Sequence, residues 1–189
     1  MFSLPQKIAA IMQNFQLDWF TAGGWAIDLY LGEISRPHDD IEIAIFRRDQ
    51  IALQSYLNEW VLQKVENSVL SVWNQNDFLE LPVHEIHCFH ETSEPRNLEV
   101  LLNERNANEW IYRRNGRVTK SLTKICLTTN SGIRFLRPEI VLLYKSKNPR
   151  AKDEQDFEAV VKCLDAESKK WLANALAICD SKHRWLQKL

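Results

Sequence analysis

The chain has 189 residues, of which 45% are hydrophobic and 26% charged, and its formal net charge is −1. These values are ordinary for a globular protein and allow one large domain, or one domain with a small helical annex. The near-neutral charge excludes a general attraction to nucleic acids or anionic membranes, and no apolar run approaches the roughly 20 residues that span a bilayer.

The N-terminus and the cysteines bear on the compartment. Residues 1–10 lack the charged segment, apolar core and cleavage site of a secretory signal. The four cysteines are scattered, form no Cys-x-x-Cys pair and are typical of reduced thiols. We therefore expect a cytoplasmic protein with no nucleic-acid or membrane partner.

The spacing of apolar residues changes twice along the chain, near residues 60 and 138. In the first region, the pattern predicts a helix after Pro5, a strand at 17–22, a helix at 25–31, a strand at 39–46 and a helix that Asp49 caps and that continues through Trp60. The second region has extended runs at 65–73, 78–89, 98–102, 110–113 and 118–127. The third region is predicted to form helices at 138–147, 152–164 and 167–178. This order predicts an α+β domain over residues 1–135, followed by a helical domain over residues 136–189 that packs on it.

A pair of glycines, Gly23 and Gly24, stands where the first strand meets a helix. Glycine has no Cβ to hold a phosphate away from the backbone, and a helix N-terminus offers unpaired N–H groups. In isolation the same pair is more often a tight turn. The pair alone therefore leaves a phosphate loop and a turn both open.

Asp40 and Glu42 follow about twenty residues later in the predicted strand 39–46. Residues i and i+2 of a strand share a face, so the two carboxylates can converge on Mg²⁺, which prefers oxygen ligands. The simpler interpretation is a solvated strand face. Concentrated like charge favours a bound cation, since it otherwise costs stability.

These residues carry a family resemblance. The stretch from Gly23 to Leu29, followed by Gly32, Arg36, His38 and residues 40–43, resembles the opening of the aminoglycoside and lincosamide nucleotidyltransferases, which belong to the polymerase-β-like superfamily. Residues 138–145, and then Arg150, Lys152, Asp153 and residues 156–157, are similar to the helical region of those proteins. The resemblance covers most of the chain and implies a nucleotidyltransferase-type mixed β-sheet flanked by helices, with a C-terminal helical domain.

The resemblance also implies residue roles. Gly23 and Gly24 would cradle a triphosphate, and Asp40 and Glu42 would hold Mg²⁺. Glu99, in the run 98–102, is the best match for a third carboxylate that acts as metal ligand, general base or both; the alternative is an edge-strand acid that faces water. The family usually has Asp where Glu42 and Glu99 stand.

Several further side chains are candidates for the nucleotide. Arg36 and His38 precede the acidic strand in the motif, and we expect them near the nucleotide. Lys145 can reach phosphates, or it can simply complement the dipole at the end of its helix. The cluster Arg150, Lys152, Asp153 and Asp156 is expected to form structural ion pairs.

The run from His84 to His90 contains three histidines, a cysteine and a glutamate. On a strand, His84, Cys88 and His90 share one face and Glu85 and His87 the other. Close zinc ligands usually need a turn between them, so metal binding by this run is disfavoured. Glu85 and His87 are instead candidates for the acceptor pocket.

The resemblance implies a Mg-dependent enzyme that transfers a nucleoside monophosphate, AMP from ATP by resemblance alone, to a hydroxyl of a small molecule such as an aminoglycoside-like antibiotic. Because two glutamates replace the usual aspartates, a weakened nucleotide-binding or regulatory module is an alternative. A transferase that modifies a toxin-like protein partner is another. The acceptor pocket is built from variable loops, so the sequence does not define the acceptor.

Overall fold

The computed structural model describes residues 2–189. Within these residues there are six α-helices: α1 (Ser3–Ile11), α2 (Gly23–Leu31), α3 (Gln50–Tyr56), α4 (Pro138–Lys145), α5 (Ala151–Val161) and α6 (Ala166–Cys179). The same residues form ten strands: β1 (Trp19–Thr21), β2 (Glu42–Phe46), β3 (Val61–Glu66), β4 (Val69–Val72), β5 (Glu85–Phe89), β6 (Asn97–Arg105), β7 (Glu109–Ile111), β8 (Thr119–Ser121), β9 (Cys126–Thr128) and β10 (Arg134–Leu136).

The strands form one mixed sheet in the order β4-β3-β5-β6-β2-β1-β10-β9, and β7 and β8 extend it from β6. Two neighbouring pairs are parallel, β2 with β6 and β1 with β10. In the β2–β6 pair, Glu42 lies directly beside Glu99. Strand β6 lies between β5 and β2, so Glu99 stands on an internal strand and the edge-strand interpretation is wrong.

The sheet separates two clusters of buried apolar side chains. Alternate residues of β2 enter different clusters, with Ile43 and Ile45 in one and Ala44 and Phe46 in the other. Helices α1 and α3 cover the first cluster, whereas α2 and α4–α6 cover the second. Because β2 is buried on both faces, an acidic side chain can reach solvent only where the strand begins, at Glu42.

The predicted α+β class is confirmed: the chain has a mixed sheet with helices on both faces and its last three helices follow in sequence. Helix α2 ends at Gly32, whose φ of 78° is left-handed. The division at residue 135 stays a prediction. None of the helices within residues 2–189 is long and apolar enough to cross a membrane.

Several predicted boundaries are wrong for local reasons. The run 65–73 is a hairpin of β3 and β4, since Asn67 and Ser68 adopt positive φ values of 51° and 64° and reverse the chain. The run 78–89 is extended in the sheet only from Glu85. The run 118–127 is interrupted by a 3₁₀ turn at Leu122–Lys124.

Two further corrections concern polar residues near the acidic strand. Asp49 makes no side-chain capping hydrogen bond, and its helix ends at Tyr56 rather than Trp60. The predicted strand 39–46 begins only at Glu42, so Asp40 lies in the preceding loop. The carboxylates of Asp40 and Glu42 are therefore brought together by a loop and a strand end, and not by strand periodicity.

Candidate active site

A cavity of about 430 Å³ lies where α2, β2, β6 and α4 meet. Its acidic lining residues are Asp40, Glu42, Glu85 and Glu99, together with Asp153. Its cationic lining residues are Arg36, Arg113, Arg114, Lys145, Lys147, Arg150 and Lys152. Gly23 and Gly24 form part of the same wall, at the N-terminus of α2. The cavity thus combines carboxylates, cations and free backbone N–H groups.

Gly23 makes room for Glu42. Its φ of 56° is left-handed, and a Cβ built on it would lie 1.3 Å from Glu42 Oε2. The carboxylate therefore occupies the space that any other residue at position 23 would fill. The absence of a side chain at Gly23 therefore leaves room for Glu42, which is one methylene longer than the aspartate that the family usually has at this position.

Gly24 makes room for protein side chains. A Cβ here would lie 2.5 Å from the imidazole of His38 and 2.6 Å from Nη2 of Arg36. The space beside Gly24 is therefore filled by His38 and Arg36, whereas the sequence argument assigned the room left by the glycines to a phosphate.

His38 is buried beneath this loop, and its side chain is 2% exposed. Its Nε2 lies 2.6 Å from Asp28 Oδ2, and its ring lies 4.6 Å from that of Trp25. Burial alone would raise the pKa of Asp28, but hydrogen bonds with His38 and Ser35 outweigh it and lower that pKa. His38 is not among the cavity-lining residues.

The buried group of Trp25, Asp28 and His38 positions the backbone of Asp40. The indole N–H of Trp25, which packs on His38, donates to the backbone carbonyl of Asp40 at 2.9 Å. The loop is thus fixed from beneath, while the Asp40 side chain faces the cavity. The motif residues Trp25, Asp28 and His38 hold the loop in place without lining the cavity.

The three predicted site carboxylates line the cavity together. Within residues 2–189, no side-chain or backbone donor is hydrogen-bonded to the carboxylates of Asp40 or Glu42. Oε1 of Glu99 lies 3.8 Å from Nε2 of His87, which is too long for a hydrogen bond. Burial, and secondly the charge of Asp40, raises the pKa of Glu42. Burial and the charges of Asp40 and Glu42 raise the pKa of Glu99 to about 7. Oxygen ligands without donors suit a hard divalent cation, so this set fits Mg²⁺.

Arg36 and Lys145 also line the cavity, yet both are held by carboxylates. Arg36 binds Asp156 through Nε at 2.7 Å and Nη2 at 2.9 Å. Lys145 lies 3.0 Å from both Asp153 and Asp156. With Arg150 on Asp153 at 2.9 Å, these contacts form the predicted ion-pair cluster, from which Lys152 is absent.

Arg113 and Arg114 line the cavity although the sequence did not indicate them. Arg150 and Lys152, expected only in ion pairs, also line it. Lys147, which from sequence could reach phosphate or simply complement its helix dipole, lines it as well. Within the described chain, neither Arg113, Lys147 nor Lys152 has a carboxylate within ion-pair distance. Burial lowers the pKa of Arg113, and the neighbouring Arg114 acts in the same direction. The only sign of a cationic wall in this part of the sequence is the pair Arg113-Arg114 at the end of the predicted run 110–113. Cations without partners in a cavity favour an anionic ligand.

Glu85 and His87 line different cavities. Glu85 lines the first cavity, whereas His87 lines a neighbouring cavity of about 530 Å³ together with Asp39, Asp40 and Glu99. The other potential metal ligands in the run from His84 to His90 do not converge. Cys88 is buried in the apolar core, a ring nitrogen of His84 is hydrogen-bonded to the carbonyl of Pro82, and a ring nitrogen of His90 accepts a hydrogen bond from the backbone N–H of Ser93.

Comparison with known proteins assigns the chain to a family. A family model described as aminoglycoside-2″-adenylyltransferase matches residues 6–160. No individual curated protein matches the sequence.

Three solved structures share the fold. ANT(2″)-Ia in complex with adenylyl-2″-tobramycin is 17% identical, with a TM-score of 0.62 over 94% of this chain and 97% of that one. The lincomycin-bound lincosamide adenylyltransferase LnuA is 16% identical, with a TM-score of 0.59 over 85% and 96%. A nucleotidyltransferase-like protein from Paracoccidioides brasiliensis is 14% identical, with a TM-score of 0.51 over 98% and 88%. The family match spans most of the sequence, and the chain belongs to the aminoglycoside-2″-adenylyltransferase family.

Proposed function

We propose that this member of the aminoglycoside-2″-adenylyltransferase family transfers AMP from Mg-ATP to a hydroxyl group of a small acceptor. One observation carries the proposal. Within residues 2–189, a single cavity contains carboxylates to which no donor is hydrogen-bonded and cations that no carboxylate pairs with. A metal–triphosphate complex supplies both missing partners at once, the cation for the acids and the anion for the bases.

Asp40 and Glu42 would hold Mg²⁺, with Glu99 as third ligand. When bound, Mg²⁺ would supply positive charge that neutralises the triphosphate as the adenylyl group is transferred. The protein's own part is to fix the carboxylates beforehand. Trp25 fixes the backbone at Asp40, and Gly23 leaves the space in which the Glu42 carboxylate lies.

The triphosphate would lie against the N-terminus of α2. The first backbone N–H groups of a helix and its dipole favour negative charge at this point. Lys147 and Lys152 are available for direct contacts with phosphate because no carboxylate in the described part of the chain pairs with them. Arg36 and Lys145, already held by Asp156, would add positive potential and a fixed wall.

In the transfer step, the acceptor oxygen attacks the α-phosphorus and the bond from the α-phosphorus to the bridging oxygen breaks, so that pyrophosphate leaves. The acceptor's hydroxyl proton must go to a base. Glu99 is placed for this role because it faces the cavity in register with Glu42. Glu85 lines the same wall and would contact the acceptor.

The acceptor is proposed to be a hydroxylated antibiotic. Structures that share the fold contain adenylyl-2″-tobramycin or lincomycin, which are molecules of this kind. A screen of pyrophosphate release should cross the four nucleoside triphosphates with aminoglycosides, lincosamides and other hydroxylated antibiotics. The expected result is Mg-dependent release with ATP and one acceptor class.

The matched pair Asp40→Asn and Asp39→Asn makes this screen specific. Asp40 lines the cavity, whereas Asp39 lines only the neighbouring one. Turnover should fall by roughly two to three orders of magnitude in Asp40→Asn and change little in Asp39→Asn. In metal-free buffer Asp40→Asn should melt no lower than the parent, because it removes one of several repelling acids. Equal activity of the two variants would refute the proposed site.

A further inference from the structure

A second group of metal-ligand side chains lies on the sheet beside the proposed Mg²⁺ site. His87 Nε2 lies 2.7 Å from Glu85 Oε1 and 3.8 Å from Glu99 Oε1. One ligand atom from each of these residues lies within 4.8 Å of the other two. Among residues 2–189, no other group of three histidines, cysteines or acids meets this distance.

The sheet register explains why the three side chains converge. Glu85 and His87 are two residues apart on β5 and therefore point to the same face. The antiparallel pairing of β5 with β6 places Glu99 directly opposite His87. The sequence showed only the first two residues, because the third comes from the neighbouring strand.

We propose that Glu85, His87 and Glu99 bind a divalent transition-metal ion, with Zn²⁺ as the probe. An imidazole nitrogen with two carboxylate oxygens is a ligand set for Zn²⁺ and its neighbours, whereas Mg²⁺ prefers oxygen alone. Metal bonds of about 2.0–2.2 Å place tetrahedral ligand atoms roughly 3.3–3.6 Å apart. Bringing the observed separations of 2.7 Å and 3.8 Å from His87 into this range requires shifts below about 1 Å, which these partly exposed glutamate side chains can make by rotamer changes.

The charge and exposure of the group fit an open metal site. Within the described residues, Glu85 and Glu99 share His87 as their one partner within ion-pair distance. The three side chains are 24–35% exposed. Glu99 lines both cavities, so an ion here could keep a coordination position for water or a ligand from either side.

The inference does not rest on nucleotidyl transfer, although Glu99 is shared with the proposed Mg²⁺ site. Asp40 and Glu42 are not members of the transition-metal group. The two sites can therefore be separated by mutation.

The test is titration of metal-free protein with Zn²⁺ by calorimetry and with Co²⁺ by visible absorption, which reports nitrogen and oxygen ligation. The parent should take up one equivalent. His87→Gln and Glu85→Gln should each weaken binding at least tenfold, while melting curves confirm that both variants fold.

His90→Gln is the matched control, because His90 lies just after the same strand and outside the group, with its ring 5.3 Å from that of Trp60. It should bind Zn²⁺ like the parent, and so should Asp40→Asn, whichever way the ATP assays turn out. Zn²⁺ binding that is equal in the parent and in His87→Gln, or no binding by the folded parent, would overturn the proposal and leave only a hydrogen-bonded His87–Glu85 pair.

Discussion

Gly24→Ala should destabilise the protein, although helix propensity alone predicts the opposite. Gly24 is the second residue of α2, and its φ lies outside the left-handed region. Alanine in a helix is favoured over glycine by roughly 0.5–1 kcal/mol. The structure adds a collision, since the new Cβ would lie 2.5 Å from His38 and 2.6 Å from Arg36.

Neither neighbour can move freely. His38 is 2.6 Å from Asp28, and Arg36 binds Asp156 through two nitrogens. Disrupting a buried charged pair costs about 3–5 kcal/mol. After the helix-propensity gain, the free energy of unfolding should fall by about 2–4 kcal/mol, which lowers Tm by roughly 5–15 °C in a chain of this size.

Urea denaturation followed by tryptophan fluorescence measures this change. Gly32→Ala is the matched control, because a Cβ there meets nothing within 4 Å and only the left-handed φ of 78° opposes it. That variant should lose only about 1–2 kcal/mol. A Gly24→Ala protein at least as stable as the parent would refute the packing of His38 and Arg36 over the loop.

Three further predictions concern buried polar groups and thiols. Asp156→Asn should lower the free energy of unfolding by about 3–5 kcal/mol in urea titrations, since it leaves Arg36 without its buried carboxylate and removes one of the two carboxylates that bind Lys145; a loss below about 1 kcal/mol would contradict this. The folded-state pKa values of Asp28 and Asp153 are lowered, so the stability that they contribute is complete above about pH 4 and lost as the pH falls further; a parent whose urea midpoint falls no more between pH 5 and pH 3 than that of Asp153→Asn would refute it. Burial raises the pKa of the Cys88 thiol to about 12, so a thiol reagent at pH 8 should modify exposed Cys163 in the folded protein and Cys88 only after unfolding, as mass spectrometry of the labelled peptides would show.

The sequence predicted the elements whose pattern is local. The apolar spacing and Gly32 define α2, and the alternation around Ile43 and Ile45 defines β2. The run 65–73 was misassigned because its turn uses Asn67 and Ser68 in positive-φ conformations, with no glycine or proline to mark it. Such a turn depends on the strands that it joins and carries a weak local signal.

In the candidate site, too, the sequence predicts what a local motif encodes and misses what depends on tertiary contacts. The family resemblance implied that Asp40, Glu42 and Glu99 form one site, and all three line one cavity, with Glu42 beside Glu99 in the parallel pairing of β2 and β6. His38 was expected at the nucleotide, but its burial depends on contacts with Asp28 and Trp25 that spacing does not reveal. The position of Arg113 in the cavity likewise depends on how the turn after β7 packs against Tyr144 of α4.

Binding of a nucleoside triphosphate in this cavity, through a metal ion held by the carboxylates, can be measured without knowing the acceptor. The measurement is calorimetry with a non-hydrolysable ATP analogue, with and without Mg²⁺, in the parent, Asp40→Asn and Asp39→Asn. We predict binding that requires Mg²⁺, is weakened at least tenfold by Asp40→Asn, or by about 1.4 kcal/mol, and is unchanged by Asp39→Asn. Equal affinity with and without Mg²⁺, or in all three proteins, would contradict the claim.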